Sequence, residues 1–116
     1  PPMSRRSPIT THVLDLAGGT PAAGIEVRLE RLAESGPSAI GSGVTDADGR
    51  VGDLLDSPAP PGLYRLVFET GAWFAARERE TFYPRIEIVF SVESSDEHYH
   101  VPVLLSPWGY STYRGS

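Results

Sequence analysis

The chain contains no cysteine and no lysine, so all ten of its basic residues are arginine. Without cysteine there is no disulfide framework, no thiolate nucleophile and no thiolate metal site. Without lysine there is neither a Schiff-base amine nor a Walker-type phosphate-binding lysine. Long apolar runs are missing as well: none approaches the roughly 20 residues that span a bilayer, and the N-terminus has no continuous apolar core of a secretory signal. Positive charge is outweighed by 15 Asp and Glu, for a net charge of −5, and an acidic chain without a basic stripe argues against a nucleic-acid reader. A cysteine-free chain suits a reducing compartment, with the bacterial cytoplasm as the default expectation.

What is present is the punctuation of an all-β domain. A length of 116 residues suits one domain with one core. Pro1-Pro2 ahead of Met3 reads as a cloning remnant, with Met3 the initiator; residues 1–8 form a flexible arm and 9–116 the domain. Twelve Gly and eleven Pro recur between short segments rich in Val, Ile, Leu, Tyr and Phe, the pattern of a sandwich or barrel. Alternation predicts strands over Gly24–Leu32, Gly62–Thr70 and Tyr83–Glu93, then His98–Leu105 and Tyr110–Arg114. Gly71–Thr81 is the one predicted helix. Turns are marked at Gly18-Gly19-Thr20-Pro21 and Thr45-Asp46-Ala47-Asp48-Gly49, and Ala33–Gly43 reads as a long connection.

Histidine titrates near neutral pH, so His12, His98 and His100 are the first candidates for acid or base work. Period-2 geometry puts His98 and His100 on one strand face with Pro102 and Leu104. An H-x-H pair is a weak zinc signal, and no third ligand is obvious beyond His12 or an acidic residue. Spacing alone favours surface or interface histidines on a polar face. Thr45–Arg50 is too short for an EF-hand loop and lacks its bidentate Glu. Two readings of the segment remain open: a turn that aims Arg50, whose planar cation suits a carbonyl-rich heterocycle, and a solvated turn residue. The C-terminus, Tyr113-Arg114-Gly115-Ser116, follows an aromatic strand immediately. Termini usually fray, whereas a final strand carrying a tyrosine, an arginine and a hydroxyl can close a polar pocket. No Gly-x-Ser-x-Gly elbow is present.

Together, Thr11-His12-Val13-Leu14-Asp15, Thr45-Asp46-Ala47-Asp48-Gly49-Arg50, His98-Tyr99-His100-Val101-Pro102 and the terminal Tyr113-Arg114-Gly115-Ser116 resemble the 5-hydroxyisourate hydrolases of the transthyretin-like family. The resemblance runs from Ile9 to Ser116, and the Tyr-Arg-Gly-Ser ending is its most specific feature. It implies an all-β, transthyretin-like (prealbumin-like) sandwich of two four-stranded sheets with one short helix. It also implies a homotetramer, a dimer of dimers, with sites at the dimer–dimer interface. The implied reaction is hydrolysis of 5-hydroxyisourate in urate breakdown, without a metal or organic cofactor. Carried over by motif, His12, Arg50 and His100 are the catalytic set, and Tyr113, Arg114, Gly115 and Ser116 line the pocket. His98 sits in the motif with a less central part, and Arg85 reads as structural. Which histidine acts as base stays open.

Two other classes compete. A noncatalytic transthyretin-type module would hold a small ligand in the same sandwich, and fold alone does not exclude it. Convergence of His12, Arg50, His100 and the Ser116 end would be superfluous in such a carrier. A structural sandwich from a surface stalk is the third class, and such modules normally sit in long repeated chains.

Overall fold

A computed structural model describes residues 7–116. The expected arm therefore lies mostly outside the described residues, but Ser7 and Pro8 do not belong to it. Ser7 is buried: its hydroxyl donates to the Ile9 carbonyl at 2.6 Å and accepts the Leu55 amide at 3.1 Å. The Pro8 carbonyl accepts the Tyr99 amide at 2.7 Å. These bonds anchor the chain before its first strand begins.

Nine strands and one helix follow: β1 (Ile9–Asp15), β2 (Thr20–Pro21), β3 (Glu26–Ala33), β4 (Gly36–Val44), β5 (Arg50–Val51), β6 (Gly62–Phe68), α1 (Thr70–Ala76), β7 (Ile86–Val92), β8 (Tyr99–Ser106) and β9 (Gly109–Thr112). One sheet runs β2-β1-β8-β9, with the two-residue β5 also on β1, and the other runs β4-β3-β6-β7. The expected pair of four-stranded sheets with one helix is present, and β5 makes the first sheet five-stranded. β1 and β8 pair in parallel, joining the first long strand to a late one. The remaining ladders are antiparallel.

Alternation explains the layering. Ile9 and Val13 of β1 and Tyr99, Val101, Val103 and Leu105 of β8 point inward, where Val27, Leu29, Leu66, Phe68, Ile86 and Ile88 of the second sheet meet them. Thr11 lies on the same inward face and donates its hydroxyl to the Val101 carbonyl at 2.6 Å, so its burial leaves no unmet polar group. The opposite faces of β1 and β8 carry Thr10, His12, His100 and Pro102, away from the core.

Two expectations are corrected. Ala33–Gly43 is not a long connection: β4 occupies Gly36–Val44 and pairs along β3, with a bulge between Leu29 and Glu30. Its small residues carry little strand propensity, and the small size has a packing cause. A side chain at Gly41 would collide with the Leu54 backbone, and one at Gly43 would meet Val51 Cγ1 at 2.7 Å. The helix also stops sooner than Thr81. Glu78 turns left-handed at φ 56°, its amide reaches the Ala75 carbonyl at 3.0 Å and the Arg79 amide reaches Phe74 at 3.0 Å. That is a Schellman closure with glutamate in the position usually held by glycine. Arg79, released from the helix, pairs with the buried Asp15 at 2.9 Å, while Arg77 stays over the Trp73 ring at 4.1 Å.

Candidate active site

Three backbone pairings bring distant residues to one place. His12 lies opposite Arg50 where β1 meets β5. Thr10 lies beside His100, and His12 beside Pro102, in the parallel ladder of β1 and β8. Beyond β9 the chain returns to β8, where Gly115 bridges His100 and donates its amide to the His100 carbonyl at 2.9 Å. A row therefore crosses the outer face of the sheet from Arg50 through His12 and His100 to the terminal residues. Above it opens a cavity of about 510 Å³ lined by His12, Arg50, His100, Tyr113, Gly115 and Ser116 among others.

Local structure explains how each side chain is aimed. Asp46 accepts the amides of Asp48 at 2.9 Å and Arg50 at 3.0 Å on one carboxylate oxygen, a side-chain-capped turn of the kind that Asp-x-Asp-Gly sequences form. Gly49 takes the left-handed φ of 78° that this turn requires, and its carbonyl accepts the Val13 amide at 2.8 Å. The turn is thereby pinned to β1 and Arg50 is presented beside His12. The Arg50 amide bond, foremost, holds the Asp46 carboxyl below its usual range, with the Arg50 and His12 charges acting in the same direction. Arg50 itself makes no ion pair among the described residues.

Gly115 is tied to His100 by space as well as by hydrogen bonding. A Cβ there would stand 2.7 Å from His100 Cδ2 and 3.1 Å from Pro102 Cγ, so only glycine lets the terminal segment lie this close. The other edge of the His100 ring is held by Thr10, whose Oγ1 is hydrogen-bonded to His100 Nδ1 at 2.8 Å and to His98 Nε2 at 3.0 Å. The two imidazoles lie nearly parallel, 6.4 Å apart.

A family model described as HIUase/Transthyretin matches residues 9–115. The chain belongs to the HIUase/Transthyretin family. A probable 5-hydroxyisourate hydrolase of Caenorhabditis elegans is 49% identical over 93% of this chain and 80% of its own length. The solved structure of 5-hydroxyisourate hydrolase from Klebsiella pneumoniae is 44% identical, covers 93% of this chain and 97% of its own, and superposes with a TM-score of 0.84. Sea bream transthyretin in complex with thyroxine is 31% identical over 94% of this chain and 95% of its own, with a TM-score of 0.87. A 5-hydroxyisourate hydrolase and a thyroxine-bound transthyretin thus share this backbone shape, and fold alone does not decide function.

Of the residues singled out from sequence, the family fold gathers His12, Arg50, His100, Tyr113, Gly115 and Ser116 around the cavity. It does not bring Arg114 there. The Arg114 guanidinium pairs with Glu97 at 2.9 Å and lies over the Tyr99 ring at 4.6 Å. His98 lines a separate cleft of about 240 Å³ with Asp96 and Glu97. Arg85 pairs with Glu87 at 2.6 Å on the other sheet, as a surface cation would. Thr10 is the notable omission. Thr10 alternates with His12 on one strand face, a signal readable in sequence, but its place beside His100 depends on the parallel pairing. Among the described residues no group of three or more His, Asp or Glu is arranged to hold a metal ion, and no helix is long and apolar enough to cross a membrane.

Proposed function

We propose that the protein hydrolyses 5-hydroxyisourate to 2-oxo-4-hydroxy-4-carboxy-5-ureidoimidazoline, in the cavity between β1, β5, β8 and the C-terminal residues. The observation that carries this reading is the convergence of His12, Arg50 and His100 with Gly115 and Ser116 on one cavity wall. A hydrophobic carrier channel has no use for two imidazoles and a guanidinium without an ion-pair partner.

Their chemistry fits a ring-opening hydrolysis. One histidine, His100 or His12, takes a proton from water as the oxygen attacks a ring carbonyl carbon. The carbonyl π electrons move onto its oxygen, where Arg50 meets the developing negative charge with paired N–H donors. The C–N bond then breaks, and the second histidine supplies the proton that the leaving nitrogen needs. No step calls on a metal or an organic cofactor. Tyr113, Gly115 and Ser116 shape the wall against which the heterocycle lies.

A homotetramer with its sites at the dimer–dimer interface completes the proposal. Tyr113, which lines the cavity, is 59% exposed. Aromatic surface of this kind is typical of an interface core, and a second copy seated there would exclude water and strengthen the Arg50 contact. The test is to generate 5-hydroxyisourate in situ with urate oxidase and follow its ultraviolet absorbance with and without the protein. Accelerated decay is the expected result. Decay no faster than the spontaneous rate would replace this reading with that of a noncatalytic small-ligand carrier.

A further inference from the structure

The Thr10 hydroxyl occupies an unusual place: one oxygen with one proton stands between two imidazole nitrogens, at 2.8 Å from His100 Nδ1 and 3.0 Å from His98 Nε2. Thr10 is 6% exposed, so bulk water does not compete freely for these bonds. It lines the main cavity while His98 lines the neighbouring cleft. Thr10 therefore bridges the two compartments.

We infer that Thr10 and His98 form a proton relay for His100, which makes His100 the base and His98 the final holder of the proton. The inference rests on the hydrolytic reading of the cavity and deepens it. A hydroxyl donates only one hydrogen bond, so the Thr10 proton points to one ring at a time. With that proton on His98 Nε2, His100 must donate through Nδ1–H, and its lone pair is then on Nε2. The Cδ2–Nε2 edge is the one facing Gly115 and the cavity wall. The tautomer of a histidine is set by the bond its other nitrogen makes, and this arrangement selects the basic form on the side where water and substrate meet.

The transfer balances. Water gives its proton to His100 Nε2, and its oxygen lone pair forms the new bond to the carbonyl carbon. The His100 Nδ1 proton passes to Thr10 Oγ1, and the original Thr10 hydroxyl proton passes to His98 Nε2. His100 ends neutral and His98 ends as an imidazolium. The positive charge leaves a cavity that already holds the Arg50 guanidinium and His12. It arrives in a cleft lined by Asp96 and Glu97, carboxylates that favour a cation even though Glu97 is shared with Arg114. The leaving nitrogen takes its proton from the imidazolium form of His12, the second histidine, so His98 keeps the proton taken from water.

Thr10→Val removes the hydroxyl at nearly constant volume, Thr10→Ser retains it, and His98→Gln puts a non-titrating amide near the Nε2 position. Thr10→Val and His98→Gln are expected to lower kcat by about a hundredfold with KM changed less than about threefold, within the usual range for losing proton transfer. Thr10→Ser is expected to stay within about threefold of wild type in kcat. Full kcat in Thr10→Val overturns the inference. Full kcat in His98→Gln with loss in Thr10→Val overturns the relay and leaves Thr10 a positioning residue for His100. Imidazole ¹⁵N spectra at about pH 8, where histidine is neutral, read the same arrangement without turnover. The expected wild-type signature is protonated Nδ1 on His100, lost in Thr10→Val and kept in Thr10→Ser. Protonated Nε2 on wild-type His100 would contradict the relay whether or not the protein consumes 5-hydroxyisourate.

Discussion

Replacing Gly115 with alanine adds a single methyl group, and its effect can be worked from three distances. The new Cβ would stand 2.7 Å from His100 Cδ2, 3.1 Å from Pro102 Cγ and 3.3 Å from Pro102 Cδ. Carbon atoms in contact prefer about 3.5–4.0 Å, so the His100 ring or the terminal segment must retreat by about 1 Å. Retreat of the ring drives its other edge onto Thr10 and distorts the 2.8 Å bond there. Retreat of the segment breaks the 2.9 Å amide bond from Gly115 to His100 and carries Ser116 with it. A displacement of about 1 Å at a reacting group costs on the order of a hundredfold in rate, equivalent to about 2.7 kcal/mol of barrier. Gly115 is not among the residues with left-handed φ, so alanine brings no backbone strain and the melting temperature should hold. The assay is kcat for 5-hydroxyisourate decay beside a thermal melt. Gly109→Ala, where nothing lies within 4 Å of the added carbon, is the control and should keep both. Near-wild-type kcat in Gly115→Ala would refute the claim that His100 and the terminal segment are held at van der Waals contact for function.

Three further outcomes follow from the same geometry. Extending the chain beyond Ser116 should lower activity by at least about tenfold without changing the melt, because Ser116 lines the cavity; steady-state kinetics of tagged and untagged protein decide it. Asp46→Ala should reduce kcat/KM by about tenfold through misplacement of Arg50, and the turn in the unaltered protein should have a matching acid limit. The folded Asp46 pKa lies below 3.8, chiefly through the Arg50 amide bond. Its contribution is therefore complete above the unfolded value and is lost as pH falls through the folded one, which amide chemical shifts of residues 48–50 would follow. Arg79→Met should destabilise the fold by about 3 kcal/mol in chemical denaturation, because it leaves the buried Asp15 carboxylate without its cation. For Asp15, burial pushes the pKa up but the Arg79 and Gly18 bonds outweigh it and leave it lowered. Wild-type stability should accordingly fall as pH drops below 3.8 through the folded value, and the variant should show less of that dependence.

The sheets were legible in sequence wherever one face is apolar, as in β3, β6, β7 and β8. β4 was not, because its residues were chosen for thinness beneath Val51 and Leu54, and that need is invisible without the neighbours. The helix ends short of its local signal for a related reason: Arg77 to Glu80 favour helix locally, and the pull of Arg79 toward Asp15 is a tertiary effect. Within the site, His12, Arg50, His100 and the terminal residues came from motif resemblance, since their separation along the chain gives no local signal. Thr10 shares the strand face of His12, yet its meaning depends on the parallel register between β1 and β8. Arg114 illustrates the converse limit, for its motif is intact while its side chain turns to Glu97 and Tyr99.

The most direct test of the central claim compares untagged wild-type protein with His100→Ala and Arg50→Ala in the decay of freshly generated 5-hydroxyisourate, with circular dichroism on each sample. Neither side chain belongs to the core between the sheets, so both variants should keep wild-type spectra. The account predicts that wild type accelerates the decay and that each variant loses at least about a hundredfold of that acceleration. Undiminished acceleration by a folded His100→Ala or Arg50→Ala variant would show that the reaction is not performed by this cavity.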